Sequence, residues 1–114
     1  MPRLEAFELK IKTGERGPDL APRYEINGFK LDFEEMAGGN GPGETLELTG
    51  EPESFPHSLV LVGPEEGEWD IEEIEAKYTV MGGPPYTVRM GKVTLGDNQN
   101  LNIWHERPTR VIDV

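Results

Sequence analysis

The chain has 114 residues, which is the length of one small domain spanning 1–114. It carries 22 Asp and Glu against 11 Lys and Arg, a formal net charge of −11 at pH 7. The absence of cysteine excludes disulfide scaffolds, thiolate metal centres and thiol catalysis. The negative charge argues against nucleic acid and anionic membrane surfaces, so the expected partners are a basic protein, copies of the chain itself, a cation or a neutral ligand.

Apolar and polar residues alternate along most of the chain, which is typical of half-buried β-strands. Residues 4–12 place Phe7, Leu9 and Ile11 on one face and charged side chains on the other. This first strand is therefore predicted to bury one face in a core.

A hairpin is predicted at residues 23–32, because Asn-Gly between alternating apolar residues favours a type I′ turn. With Asn27 and Gly28 in the turn, four pairs of residues are predicted to lie opposite each other: Ile26 with Phe29, Glu25 with Lys30, Tyr24 with Leu31, and Arg23 with Asp32. Apolar pairs then share one face and opposite charges share the other, so a one-residue slip would lose both patterns.

The glycine-rich stretch 37–43 is predicted to be a connecting loop, because it lacks the features of a phosphate-binding loop. Residues 44–49 follow as a strand with Leu46 and Leu48 inward. The short apolar run 58–63 is predicted to be a central strand covered on both faces.

Residues 69–77 fit two structures. Asp70 and Glu73 have the spacing of a helix capping box, whereas a strand with a bulge near Glu72 and Glu73 would link the apolar residues on either side. We favour the bulged strand, since a helix here would have only one or two turns.

Two hairpins are predicted in the remainder of the chain. The loop 81–85 would place Tyr78 opposite Val88, although this register also brings Lys77 opposite Arg89. The loop 96–100 would place Leu95 opposite Leu101 and Val93 opposite Ile103. A change of alternation before Val93 indicates a bulge at Gly91.

These elements predict an all-β fold, a single antiparallel β-sandwich or partly open barrel of about eight strands with little or no helix. Residues 110–114 are interpreted as a short edge strand or a docked terminus. No transmembrane segment or signal peptide is visible in the sequence, and a cytoplasmic location is the default expectation.

Catalytic and metal-binding signals are sparse. The two histidines, His57 and His105, are interpreted as separate residues rather than as a metal pair, and neither serine lies in a nucleophile elbow. Residues 65–75 hold seven carboxylates, which fit a solvated surface better than a calcium site, although calcium stays an alternative cofactor.

The candidate ligand-binding residues are Trp104, Trp69, Tyr86 and His105. An outward Trp104 with Trp69 or Tyr86 nearby would offer a platform for a sugar ring or an oligomer contact. The preferred function is a non-catalytic binding or assembly module that presents a sheet face or loop rim to a protein partner or to its own copies. The alternatives are a carbohydrate-binding module, assisted by calcium or not, and a small enzyme that uses His105 with a carboxylate in a cleft.

Overall fold

A computed structural model describes residues 3–18 and 22–104, and within these ranges the chain forms ten β-strands and no helix. In chain order they are β1 (Leu4–Thr13), β2 (Arg23–Ile26), β3 (Phe29–Leu31), β4 (Glu35–Gly38), β5 (Thr45–Gly50), β6 (Leu59–Val62), β7 (Trp69–Val80), β8 (Tyr86–Met90), β9 (Val93–Leu95) and β10 (Asn100–Asn102). The all-β prediction is confirmed. The strand count exceeds the predicted eight because β4 was not foreseen and residues 86–95 form two strands.

The strands build two antiparallel sheets that pack as an open sandwich and not as a closed barrel. One sheet has six strands in the order β4-β5-β1-β7-β8, with β9 also paired to β7. The other has four strands in the order β10-β6-β2-β3. Five strands have neighbours on both sides, namely β5, β1 and β7 in one sheet and β6 and β2 in the other. Among the described strands, the edges are therefore β4, β8 and β9 in the six-stranded sheet and β10 and β3 in the four-stranded sheet.

The alternation of apolar and polar residues along the strands places the core side chains as predicted. In β1, Phe7, Leu9 and Ile11 are buried and the intervening charged side chains are exposed. Leu46 and Leu48 of β5 are buried in the same layer. Because burial of an apolar side chain is the main favourable contribution to folding, this alternation fixes which face of each strand is turned inward.

The β2–β3 hairpin has the predicted register. Tyr24 pairs with Leu31, Glu25 pairs with Lys30 and Ile26 pairs with Phe29. Arg23 Nε contacts Asp32 Oδ1 at 2.8 Å. Asn27 adopts a positive φ of 51°, as the first central position of a type I′ turn requires.

The bulged-strand interpretation of residues 69–77 is confirmed. Opposite β1, the partner of Lys12 is Glu73 and the partner of Thr13 is Ile71, so Glu72 is the extra residue. Glu72 and Glu73 are both exposed, while Ile71 and Ile74 on either side are buried. The bulge thus keeps apolar residues inward along a strand of 12 residues.

The predicted register between β7 and β8 is wrong by two residues. Tyr78 pairs with Tyr86 and Ala76 pairs with Val88. The shift places Arg89 opposite Glu75, with Nη2 to Oε2 at 3.4 Å, and so removes the predicted repulsion between Lys77 and Arg89. Opposite charges on the outer face therefore agree with the observed register.

The predicted hairpin at residues 96–100 is also wrong. Leu95 pairs with Trp69 in the six-stranded sheet, whereas Leu101 pairs with Leu61 in the four-stranded sheet. The loop therefore crosses between the two layers, and Val93 pairs with Ile71 and not with Ile103.

The structure differs from the predictions in three smaller respects. The chain is interrupted between β8 and β9 at Gly91, but the pairing with β7 keeps one register on both sides, so no extra residue is inserted there. The first two residues of the stretch 37–43 belong to β4, and the remainder forms the turn into β5. In the central strand β6, Val60 and Val62 on the outer face are partly buried and not fully covered.

Candidate functional site

The edge strands β3 and β4 lie on the same side of the sandwich. Only residues 32–34 connect them, so the four Cα steps from Leu31 to Glu35 span at most about 14 Å. Packed sheets are about 10 Å apart, which leaves little length for a detour. Phe33 within this connection is buried against Phe7 and Tyr24, with ring centroids 5.9 and 4.9 Å apart.

Three apolar side chains on these edges point toward the inner layer and yet are exposed. Phe29 and Leu31 lie opposite Ile26 and Tyr24, which are buried, and Met36 lies opposite Leu48, which is buried. Directly opposite residues of an antiparallel pair share a face, so these three side chains lie on the inner face of their sheets without being buried. Phe29 is 72% exposed and Met36 is 52% exposed.

We call this surface the open flank and define it as strands β3 and β4 with the side chains of Phe29, Leu31 and Met36. Within the described residues, no strand pairs with the outer edge of β3 or of β4. The backbone of both edges thus keeps unpaired hydrogen-bonding groups beside an exposed apolar surface.

The opposite flank differs. There the inner-face residues Tyr86, Val88 and Met90 of β8 are partly buried against the core. Trp104, which follows β10, packs edge-on against Tyr78 with ring centroids 5.5 Å apart. The inner-face apolar side chains are therefore more buried on that flank than on the open flank.

Carboxylates surround the β4 side of the open flank. Glu34 and Glu35 are exposed, and neither forms an ion pair with any of the described residues. On the outer face, a shallow depression of about 210 Å³ is lined by Glu35 together with Glu8, Glu47 and Lys10. The depression is therefore more acidic than basic.

Asn27 fixes the turn end of the β2–β3 hairpin to the segment before β6. Its Oδ1 accepts hydrogen bonds from the backbone N–H groups of His57, at 2.6 Å, and Ser58, at 3.2 Å. Its Nδ2 donates to the carbonyl oxygen of Phe55 at 3.1 Å. Phe29 in the hairpin and Phe55 in the segment before β6 both have exposed side chains. The hydrogen bonds of the Asn27 side chain thus link the two segments that contain them.

Tyr24 lies behind the open flank with its ring fully buried, and its hydroxyl has no hydrogen-bond partner among the described residues. Burial raises the pKa of the Tyr24 hydroxyl, and the nearby carboxylates of Glu34 and Glu51 raise it further. The phenol therefore stays neutral at physiological pH.

The predicted aromatic platform is assembled only in part. Tyr86 and Trp104 both lie against Tyr78, with the rings of Tyr78 and Tyr86 5.3 Å apart, and both are partly exposed. Trp69 is nine residues from Tyr78 on β7, a separation of about 30 Å along the strand. Trp69 and Trp104 therefore do not share a surface.

Trp69 is only 1% exposed, and its Nε1 donates a hydrogen bond to Thr13 Oγ1 at 3.0 Å. It is one of the residues that line a groove of about 480 Å³, together with Arg23, Lys30 and Val62 on the outer face of the four-stranded sheet. Two prolines of the groove wall, Pro18 and Pro22, border residues 19–21, which are outside the described ranges.

His105 and residues 110–114 also lie outside the described residues, so the predictions made for them stay predictions. His57 is exposed, and its backbone contributes to the Asn27 contact.

The acidic segment 65–75 is partly neutralised by Arg16, and at its end by the contact of Arg89 with Glu75. Arg16 Nε contacts Asp70 Oδ2 and Arg16 Nη1 contacts Glu68 Oε1, each at 2.8 Å. Hydrogen bonds from Arg16 and from Thr94 Oγ1 hold the pKa of Asp70 below its usual value. Across 3–18 and 22–104, no group of three or more His, Asp or Glu side chains has a geometry that could hold a metal ion.

Comparison with protein-family models, with curated proteins and with solved structures finds no match for this chain. Within the part of the chain that the structure describes, no helix has the length and apolar character needed to cross a bilayer.

Sequence reasoning missed the open flank as a site. The sequence analysis placed Phe29 and Leu31 on the apolar face of the hairpin without predicting their exposure, and it did not single out Met36. The alternation that assigns these residues to the inner face is visible in the sequence, but the position of β3 and β4 at sheet edges is not.

Proposed function

We propose that the protein is a non-catalytic binding or assembly module that presents its open flank to a protein partner. One observation supports this most strongly: on both edge strands of one flank, the apolar side chains of the inner face are exposed. Exposed edge strands can pair with other chains, and although β3 and β4 are short, with three and four residues, no described strand covers them. An uncovered pair of edges beside exposed apolar side chains is typical of an interaction surface.

The size of the surface indicates what kind of partner it needs. Complete burial of a Phe, Leu or Met side chain contributes about 1.5–3 kcal/mol. Scaling by the exposed fractions of Phe29, Leu31 and Met36, which are 72%, 38% and 52%, gives about 2–5 kcal/mol for the whole flank. Association costs about 4–15 kcal/mol, so the apolar contacts alone do not hold a partner and backbone or charged contacts must add to them.

A photoreactive side chain tests the proposal. Benzoylphenylalanine is placed at Met36 in one variant and at Met81, a 65% exposed position outside the open flank, in the control. Both are irradiated in the cells that make the protein, and the crosslinked partners are identified and purified. We expect a distinct partner from position 36 alone, which then binds the purified chain and loses that binding in a Phe29→Ser/Met36→Ser variant. Equal adducts from both positions, or none from position 36, would contradict the proposal.

Carbohydrate binding is the second candidate, and the proximity of Tyr86 and Trp104 around Tyr78 favours it. Two partly exposed rings at one end of the sandwich are able to stack on a sugar. A titration of tryptophan fluorescence with a panel of neutral sugars, in calcium and in EDTA, tests this function. A saturable change that is lost in Tyr86→Ala would support it, and a flat response to every sugar would reject it.

A further inference from the structure

We propose that the occupant of the open flank is a basic, extended segment of another protein, which adds to β4 as a further strand of the six-stranded sheet. This inference rests on the proposed function and specifies the chemistry of its partner. Three properties of β4 carry it: its unpaired edge, the alternation of its side chains and the charge around it.

The edge of β4 provides the hydrogen bonds. β4 is the terminal strand of its sheet, and β5 pairs with only one of its sides. In an edge strand, every second residue turns its N–H and C=O away from the sheet. β4 ends at Gly38, whose φ is +83°, and a side chain there would approach the carbonyl oxygen of Thr45 to 2.1 Å. The pairing segment is therefore short, about four residues, which matches Glu35–Gly38.

The side chains of β4 define the sequence pattern of the occupant. Met36 faces the inner layer, toward the side of Phe29 and Leu31, whereas Glu35 faces outward with Glu47 and Glu8. An added strand follows the same alternation, so every second residue of it contacts the apolar flank and the others lie beside carboxylates. The favoured segment thus alternates apolar residues with Lys or Arg.

Charge favours a basic partner over a second copy of the chain. Glu34 and Glu35 have no ion-pair partner among the described residues. A second copy would bring another net charge of −11 against this surface. Steering by opposite charge instead raises the association rate of a basic segment and sets its register beside Glu35.

The test uses a synthetic peptide of about ten residues that alternates lysine with valine, added to the full chain. A peptide of the same length that alternates glutamate with valine is the matched control. Two-dimensional NMR of the labelled chain reports the affected amides and their hydrogen exchange.

We expect the basic peptide to shift the amides of 35–38 and to slow the exchange of the outward ones by about tenfold or more, while the acidic peptide has no effect. Glu35→Lys is expected to weaken binding at least about fivefold, and Glu65→Lys, which changes the net charge equally at an exposed site away from the flank, by less than about twofold. Binding is also expected to weaken as salt is raised. Unchanged melting temperatures show that both variants are folded.

Equal binding of the acidic peptide, protection on β3 in place of β4, or equal effects of the two lysine variants would overturn the strand-addition proposal. Dimerisation of the free chain through β4, seen by light scattering and by the same amide protection, would overturn it in favour of a second copy. If the peptide fails while photocrosslinks from position 36 persist, the basic-strand inference is wrong and the binding module stands. If both fail, the proposed function itself is wrong.

Discussion

The hydroxyl of Tyr24 offers a sharp test of the packing behind the open flank. Its ring is fully buried, edge-on to Phe7 at 5.0 Å and tilted against Phe33 at 4.9 Å, and its oxygen has no hydrogen-bond partner among the described residues. Tyr24→Phe keeps these ring contacts and removes only the oxygen. Because a buried polar group without a partner costs about 1–3 kcal/mol, the variant is expected to be as stable as the natural chain or up to about 1 kcal/mol more stable.

Tyr78→Phe is the matched control. The Tyr78 hydroxyl donates a hydrogen bond to the carbonyl oxygen of Ile103, and both residues are fully buried. Its removal leaves that carbonyl without this donor, so we expect a loss of about 1–3 kcal/mol. Urea unfolding at pH 7 measures both changes. For a chain of this size, a change of 1 kcal/mol corresponds to about 3–5 °C in melting temperature.

The loss of folding stability at alkaline pH provides a second test of the buried Tyr24 hydroxyl. Because burial raises the pKa of Tyr24 above its unfolded value, the neutral phenol contributes stability that is present below about pH 10 and is lost as pH rises through the folded pKa. Tyr24→Phe should therefore lose less stability than the natural chain above about pH 10. A loss of more than 1 kcal/mol in Tyr24→Phe at pH 7, with Tyr78→Phe unchanged, would show that the Tyr24 hydroxyl stabilises the fold and the Tyr78 hydroxyl does not, the opposite of what is expected.

Three further changes test other contacts. Asn27→Ala removes three side-chain hydrogen bonds and a residue suited to φ of 51°, so urea unfolding should show a loss of stability of about 2 kcal/mol. Asn27→Gly also removes the hydrogen bonds but accepts the positive φ, so it should lose less stability than Asn27→Ala. Equal losses in the two variants would contradict a contribution from the turn conformation. Gly50→Ala would put a methyl group 2.6 Å from a ring carbon of Phe7 and should cost about 1–3 kcal/mol. Gly91→Ala, whose methyl group would have no atom within 4 Å beyond the adjacent residues of the chain, should be nearly neutral in the same assay. The lowered pKa of Asp70 predicts stability that is present above the unfolded pKa and is lost as pH falls through the folded pKa. Melting temperatures of Asp70→Asn and the natural chain should thus differ at pH 7 and converge at low pH, and a difference that persists in acid would argue against the Arg16 contact.

Local chemistry explains the features that the sequence predicts well. Asn27 and Gly28 fix the turn, and the four predicted pairs around it are consistent with one register only. Likewise, Glu72 and Glu73 interrupt an otherwise regular alternation, and a bulge is the simplest way to keep Ile71 and Ile74 inward. In both cases the decisive residues are neighbours in the chain.

The wrong predictions concern partners that are distant in the chain. Nothing near residues 96–100 reveals that Leu95 pairs with Trp69 and Leu101 with Leu61 in different sheets. Two registers of β8 satisfy the alternation equally well, and the contact of Arg89 with Glu75 distinguishes them only once the strands are paired. Sheet order also decides exposure, which is why an inner-face residue such as Met36 is accessible to a partner.

Amide hydrogen exchange of the free, monomeric chain shows most directly whether the open flank is uncovered. If it is, the outward amides of β4 exchange at least about 100-fold faster than those of Leu9 and Ile11 in the central strand β1, because only β1 is paired on both sides. Protection of every β4 amide to the level of β1 in the monomer would mean that another part of the chain covers this edge and that the flank is not open to a partner.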